Sequence, residues 1–244
     1  MKKVFAILLA FAMLFALAAC SGGEQAPEPE PEPDPNEKSE GVMTYEEYAA
    51  ASPDSDVVIE AYVQAAQSWW NNAVTVYAQD NEGGYYLYEM ACSEEDAEKL
   101  VPGTKIKATG QKSEENGEVE IVNAAFEIEE DATYIAPPLD VTAVLDTEDM
   151  IKYQNMFVLF SDMEVVGEPV FEWDNSGVDG DDIYFQVEKD GQVFTFMVES
   201  YLTGSGTDVY EAVKKLQKGD KVDLEGFCYW FDGLTPHITG VTMK

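Results

Sequence analysis

Four aspartates fall inside one short loop, Asp174-Asn175-Ser176-Gly177-Val178-Asp179-Gly180-Asp181-Asp182. Calcium is held by carboxylate and carbonyl oxygens crowded around one point. Asp174, Asp179, Asp181 and Asp182 therefore form a candidate calcium loop, with glycines that permit a sharp wrap. The spacing is not that of an EF-hand, which sets acids at alternate positions and closes on a Glu. A solvated hairpin loop rich in turn formers fits the same residues. The second chemical feature is aromatic: Trp69-Trp70-Asn71-Asn72, Trp173 and Trp230-Phe231 all stand beside turn-forming residues. Indole planes stack on sugars and bases, which makes Trp69, Trp70, Trp173 and Trp230 candidate ligand-binding residues. Their alternative role is to pack structural units together.

Catalysis finds little support. The single histidine is His237, in Thr235-Pro236-His237-Ile238, and the chain has no arginine. Nothing in the sequence sets a Ser or Cys beside His237 as a nucleophile, so a structural role is expected for it. With 48 Asp and Glu, carboxylate pairs arise by chance, and a glycosidase needs two of them held across a cleft. No phosphate-binding glycine loop, dinucleotide fingerprint or Cys/His zinc spacing is present. No catalytic residue is assigned.

The 14 Lys face those 48 acids, a formal net charge of −34. Nucleic acid is held mainly by cations that neutralise phosphates, so it is not expected as a partner. Anionic lipid headgroups are repelled for the same reason. The acidity itself reads as solubility in an exposed environment or as attraction for cations.

A charged start (Lys2, Lys3), an apolar run from Val4 to Ala16 and then Leu17-Ala18-Ala19-Cys20 have the layout of a secretory signal with a cleavage point. The apolar run is short for a membrane span, which needs ~20 residues. Leu-Ala-Ala-Cys resembles the lipobox of bacterial lipoproteins. That resemblance implies a diacylglyceryl (palmitate-type) modification on Cys20, removal of residues 1–19, and a mature chain at the outer face of the cell membrane. Losing Lys2 and Lys3 takes the formal charge from −34 to −36. The tract Pro27-Glu28-Pro29-Glu30-Pro31-Glu32-Pro33-Asp34-Pro35 cannot build a core; it forms a stiff, solvated spacer. Residues 20–40 are thus the lipidated Cys and its linker.

The remainder carries a weak internal repeat. Leu100-Val101-Pro102-Gly103-Thr104-Lys105-Ile106-Lys107-Ala108-Thr109-Gly110 aligns with Leu216-Gln217-Lys218-Gly219-Asp220-Lys221-Val222-Asp223-Leu224-Glu225-Gly226. Tyr86 and Tyr88 match Phe194 and Phe196, and Val57–Val63 corresponds to Met156–Phe160. Each unit reads as three strands, a short helix and two strands. The helix starts are Ser93-Glu94-Glu95-Asp96 and Thr207, and an acidic helical turn opens each unit at Thr44 and Thr147. This order resembles the OB-fold, a five-stranded Greek-key barrel, and similar domains of bacterial secreted proteins and lipoproteins. The expected fold is mainly β, with two tandem OB-like barrels at 41–135 and 136–244. Cys92 and Cys228 fall in different units, either as buried small hydrophobes or as a bridged pair.

The expected function is that of a membrane-anchored, extracytoplasmic, non-catalytic binding or scaffolding module. Its partners would be a peptide, a glycan or another envelope protein, met through the Trp loops. A calcium-responsive envelope module and an enzyme of unrecognised type are the alternatives.

Overall fold

The computed structural model describes Asp34, Pro35 and residues 37–244. Cys20, the signal segment and most of the Pro/Glu tract lie outside the described residues.

The first repeat opens on helix α1 (Tyr45–Ala50), started by a reciprocal cap. The Thr44 side chain accepts from Glu47 N–H while the Glu47 carboxylate accepts from Thr44 N–H. Strands β1 (Asp56–Ala66), β2 (Ala73–Gln79) and β3 (Gly84–Ala91) follow as an antiparallel meander. Helix α2 (Glu94–Ala97), capped by Ser93, leads to β4 (Thr104–Glu115) and β5 (Glu118–Thr133). β4 closes onto β1, and β3 pairs parallel with β5, so the strands form a closed barrel in the order β1-β2-β3-β5-β4.

The second repeat begins with the two-residue strand β6 (Leu139–Asp140) and a 3-10 turn at Glu148–Tyr153 capped by Thr147. Then come β7 (Phe157–Val165), the two-residue β8 (Val170–Phe171), β9 (Ile183–Lys189) and β10 (Gln192–Val198). Helix α3 (Asp208–Val213), β11 (Lys221–Phe227) and β12 (His237–Met243) complete it. The order β7-β11-β12-β10-β9 closes through β7–β9, with β6 and β8 added at the margins. Both repeats are therefore OB-like barrels, each with its helix between the third and fourth barrel strands.

Strand alternation fills the interiors. Val57, Ile59, Ala61 and Val63 of β1 meet Val74, Val76, Ala78, Tyr85 and Leu87 inside the first barrel. Val158, Phe160, Phe185, Val187, Phe196 and Leu224 do the same in the second. The match of Tyr86 and Tyr88 with Phe194 and Phe196 is off by one residue. Tyr85 and Leu87 face the first core and Phe196 the second, whereas Tyr86 points outward into a separate cluster. A slip of one position exchanges the two faces of a strand. Cys92 and Cys228 are free thiols, and Cys228 is buried in the second core.

The outer face of β2 is buried as well, because the second barrel covers it. Tyr77 stacks on Phe227 with ring centroids 4.1 Å apart and planes 8° from parallel. Its hydroxyl shares a 3.1 Å hydrogen bond with His237 Nδ1. Polar pairs ring this contact: Gln79 Oε1 accepts from Phe157 N–H (2.7 Å), Asn155 Nδ2 donates to Val119 O (2.9 Å), and Glu118 Oε2 accepts from Trp230 N–H (2.9 Å). Lys38 and Ser39, read from sequence as the end of the linker, lie against the first barrel. Lys38 Nζ pairs with the buried Asp80 carboxylate at 2.6 Å, and Ser39 N–H donates to Glu60.

Candidate functional site

The barrels leave a groove of about 710 Å³ along one side of their contact, a volume in the range of small-molecule sites. Its first wall is set by a turn. Trp70 and Ala73 exchange backbone hydrogen bonds at 3.0 and 2.9 Å, and Asn71 and Asn72 between them take φ of 49° and 62°. Two consecutive positive φ angles define a type I′ hairpin turn, which asparagine tolerates. This turn swings Trp70 into solvent, 68 % exposed, at the groove. Its neighbour Trp69 is turned back, with its indole N–H donating to Cys92 O at 3.0 Å. Trp173, in the loop between β8 and β9 of the second barrel, lines the same groove and is 76 % exposed.

Of the tryptophans singled out by sequence, Trp70 and Trp173 line the groove, and Trp69 and Trp230 do not. Trp230 packs on the second core and lies 3.6 Å from where a Cβ on Gly117 would stand, so it joins the barrels together. The groove residue in its loop is the next one, Phe231. Tyr88 and Tyr201 add exposed rings, and Tyr86, Tyr229 and His237 form the floor. Sequence reasoning missed Tyr201, which stands on the bend after β10, and had no pattern that would find it. Phe231 was within reach, as the neighbour of a flagged Trp in a turn.

Three carboxylates line the groove: Glu89, Asp182 and Glu199. Glu199 is held from both barrels. Its Oε2 accepts from Gln67 Nε2 at 3.1 Å and its Oε1 from Tyr201 N–H at 3.0 Å. Burial, with the Asp182 charge adding, pushes its carboxyl up to about 7. Burial takes His237 the other way, to about 3, so its imidazole is neutral at physiological pH. No lysine lines the groove.

The remaining aspartates of the acidic loop do not converge. Asp174 accepts from Ser176 N–H, Asp181 from Val178 N–H, and Asp179 pairs with Lys214 at 2.7 Å. Asp182 accepts from Ser200 N–H at 2.8 Å. Among the described residues, no group of three or more His, Cys, Asp or Glu is placed to hold a metal ion.

No family model matches the chain, and no curated protein matches it. Similar solved structures exist. The p204 HINb domain matches at a TM-score of 0.36 and 12 % identity, covering 80 % of this chain and 99 % of that one. The Ifi202 HINa domain in complex with 20bp dsDNA matches at 0.35 and 11 %, covering 78 % and 98 %. A murine DNA binding protein bound with ds DNA matches at 0.34 and 10 %, covering 77 % and 94 %. Two of these neighbours are bound to double-stranded DNA, which runs against the expectation, drawn from net charge, that nucleic acid is not a partner. At such scores they assign no ligand to this chain, and the OB-like assignment rests on its own strand order.

Proposed function

We infer that this chain is a non-catalytic binding protein, tethered by lipid at Cys20 to the outer face of a cell membrane, whose ligand enters the groove between the barrels. The observation that carries the binding half is the exposure of Trp70, from the first barrel, and Trp173, from the second, at one aromatic groove. Exposed apolar rings cost solvation free energy unless something covers them. Indoles exposed at one groove offer ring faces to a flat or apolar ligand surface. The location half rests on the Leu17-Ala18-Ala19-Cys20 motif and the Pro/Glu spacer behind it.

Each half has its own test. Titration of the folded protein with a panel of glycan fragments, short peptides, small amines and a duplex oligonucleotide is followed by tryptophan fluorescence. At least one class is expected to give a saturable change, and Trp70→Ala with Trp173→Ala is expected to weaken it at least tenfold. Binding that is indifferent to both substitutions removes the groove as the site. For the tether, the wild-type chain expressed in a bacterium is expected to incorporate labelled palmitate and to fractionate with membranes. Cys20→Ser is expected to lose both, and a Cys20→Ser protein still acylated defeats the lipobox reading.

A further inference from the structure

We propose that the groove selects a small organic cation, an alkylammonium whose methyl or methylene surface rests on the exposed rings of Trp70 and Trp173 while its charge faces Glu89, Asp182 and Glu199. This rests on the reading of the groove as the binding site and adds the chemical class of its ligand.

Both kinds of lining group attract the same thing. Ring faces carry the negative side of the aromatic quadrupole and hold cations within about 6 Å of the centroid. The carboxylates add full charges, and none of the three is ion-paired to a lysine among the described residues, whereas Glu60, Asp80, Glu129 and Glu164 all are. With no lysine at the lining and His237 held neutral, an anion meets no compensating charge there. A bare metal ion is not served either, since the acids do not converge on a point. An ion with an apolar skin uses both the rings and the charges.

The buried acid gives this site a pH signature. Glu199 is nearly covered and fixed by Gln67 and Tyr201. Asp182 is the charged group that bears on it. Tyr77, Tyr86 and Tyr184 face it too, but burial raises all three above the ordinary tyrosine value, so they stay neutral near pH 7. His237 also keeps its charge state over that range. A cation binds the ionised carboxylate, so affinity rises with pH as Glu199 loses its proton around 7.

The test compares choline with 3,3-dimethyl-1-butanol, its uncharged isostere, by tryptophan fluorescence and calorimetry on the folded protein at low salt. Choline is expected to saturate and to bind at least tenfold more tightly than the alcohol. Its affinity is expected to fall several-fold from about pH 8 to about pH 5.5. Glu199→Gln is expected to weaken choline and to flatten that pH profile; Glu89→Gln, at an exposed position, carries the charge test where Glu199→Gln lowers stability. Equal binding of both compounds overturns cation selectivity and leaves the groove standing as a neutral site. Failure of choline to saturate also overturns it, and the groove then survives only where another class of the panel binds in a Trp70-dependent way.

Discussion

Glu118→Gln is expected to raise the melting temperature by about 6–20 °C near pH 8.5, and to remove most of the loss of stability between about pH 6.5 and 8. Glu118 opens β5 behind the Asn116-Gly117 turn and is 1 % exposed at the contact between the barrels. Its Oε2 accepts from Trp230 N–H and, at 3.4 Å, from Gln154 Nε2, while its Oε1 and the Oδ1 of Asn155 find no hydrogen-bond partner among the described residues. Burial dominates, outweighing the Trp230 N–H, and pushes the carboxyl up to about 8.

The sign follows from where protons sit. With a folded value of about 8 against an ordinary 4.5, the folded chain holds a proton that the unfolded chain has released. Stability contributed by that proton is complete below the unfolded value and is lost as pH climbs through the folded one. His237 works oppositely, because its folded value of about 3 makes stability fall as pH drops from 6.5. The two offset each other below pH 6.5. Glu199, raised to about 7, adds to the loss until it has ionised, and Glu118 carries the larger share up to about 8. The Glu118 contribution is at most roughly 1.4 kcal/mol per pH unit, reached below its folded value and fading above it. A glutamine of the same shape keeps the acceptor for Trp230 and never ionises, so it avoids on the order of 3–5 kcal/mol of charge burial at high pH. Thermal melts of both proteins across pH 6–9 decide this. A Glu118→Gln protein with the wild-type slope would show that Glu118 is not the group responsible.

The same contact explains what the sequence could and could not convey. Five strands with a helix before the fourth are legible because β4 and β11 alternate cleanly and because Ser93 and Thr207 mark the helix starts. β3 is not legible in register: Tyr85, Tyr86, Leu87 and Tyr88 are apolar on both faces, since the second barrel and the groove replace solvent on the outer one. Alternation marks an inward face only when the other face meets water. Trp69 and Trp70 are identical in type, and only the left-handed Asn71-Asn72 turn decides which of them projects. The groove itself is made by bringing together segments more than a hundred residues apart, such as Gln67 with Glu199. No local pattern encodes that. Charge counting over the whole chain, in turn, says nothing of where the unpaired acids collect.

The association of the barrels hinges on Gly84, and Gly84→Ala is expected to lower the melting temperature by about 6–12 °C, from an overpacking cost of about 3 kcal/mol. Gly84 begins β3, and a Cβ there would fall inside the van der Waals envelope of the Asn155 carbonyl and the Met156 nitrogen. That backbone has little room to retreat. Asn155 N–H donates to Cys228 O at 2.8 Å, Phe157 N–H to Gln79 at 2.7 Å, and Asn155 Nδ2 to Val119 O. Relief therefore comes from the barrels moving apart, which breaks the Tyr77–Phe227 stack and opens the groove. Gly191→Ala is the matched control: its φ is +85°, so alanine is strained there, but nothing lies within 4 Å of the new methyl. It should cost about 1 kcal/mol through backbone conformation alone and leave the groove intact. Calorimetry is expected to show one cooperative transition for the wild type and Gly191→Ala, and two for Gly84→Ala, each barrel then melting on its own core. A single unshifted transition in Gly84→Ala would mean that the interface yields around a methyl group, and the close approach of β3 to Asn155 would not be what locks the barrels together.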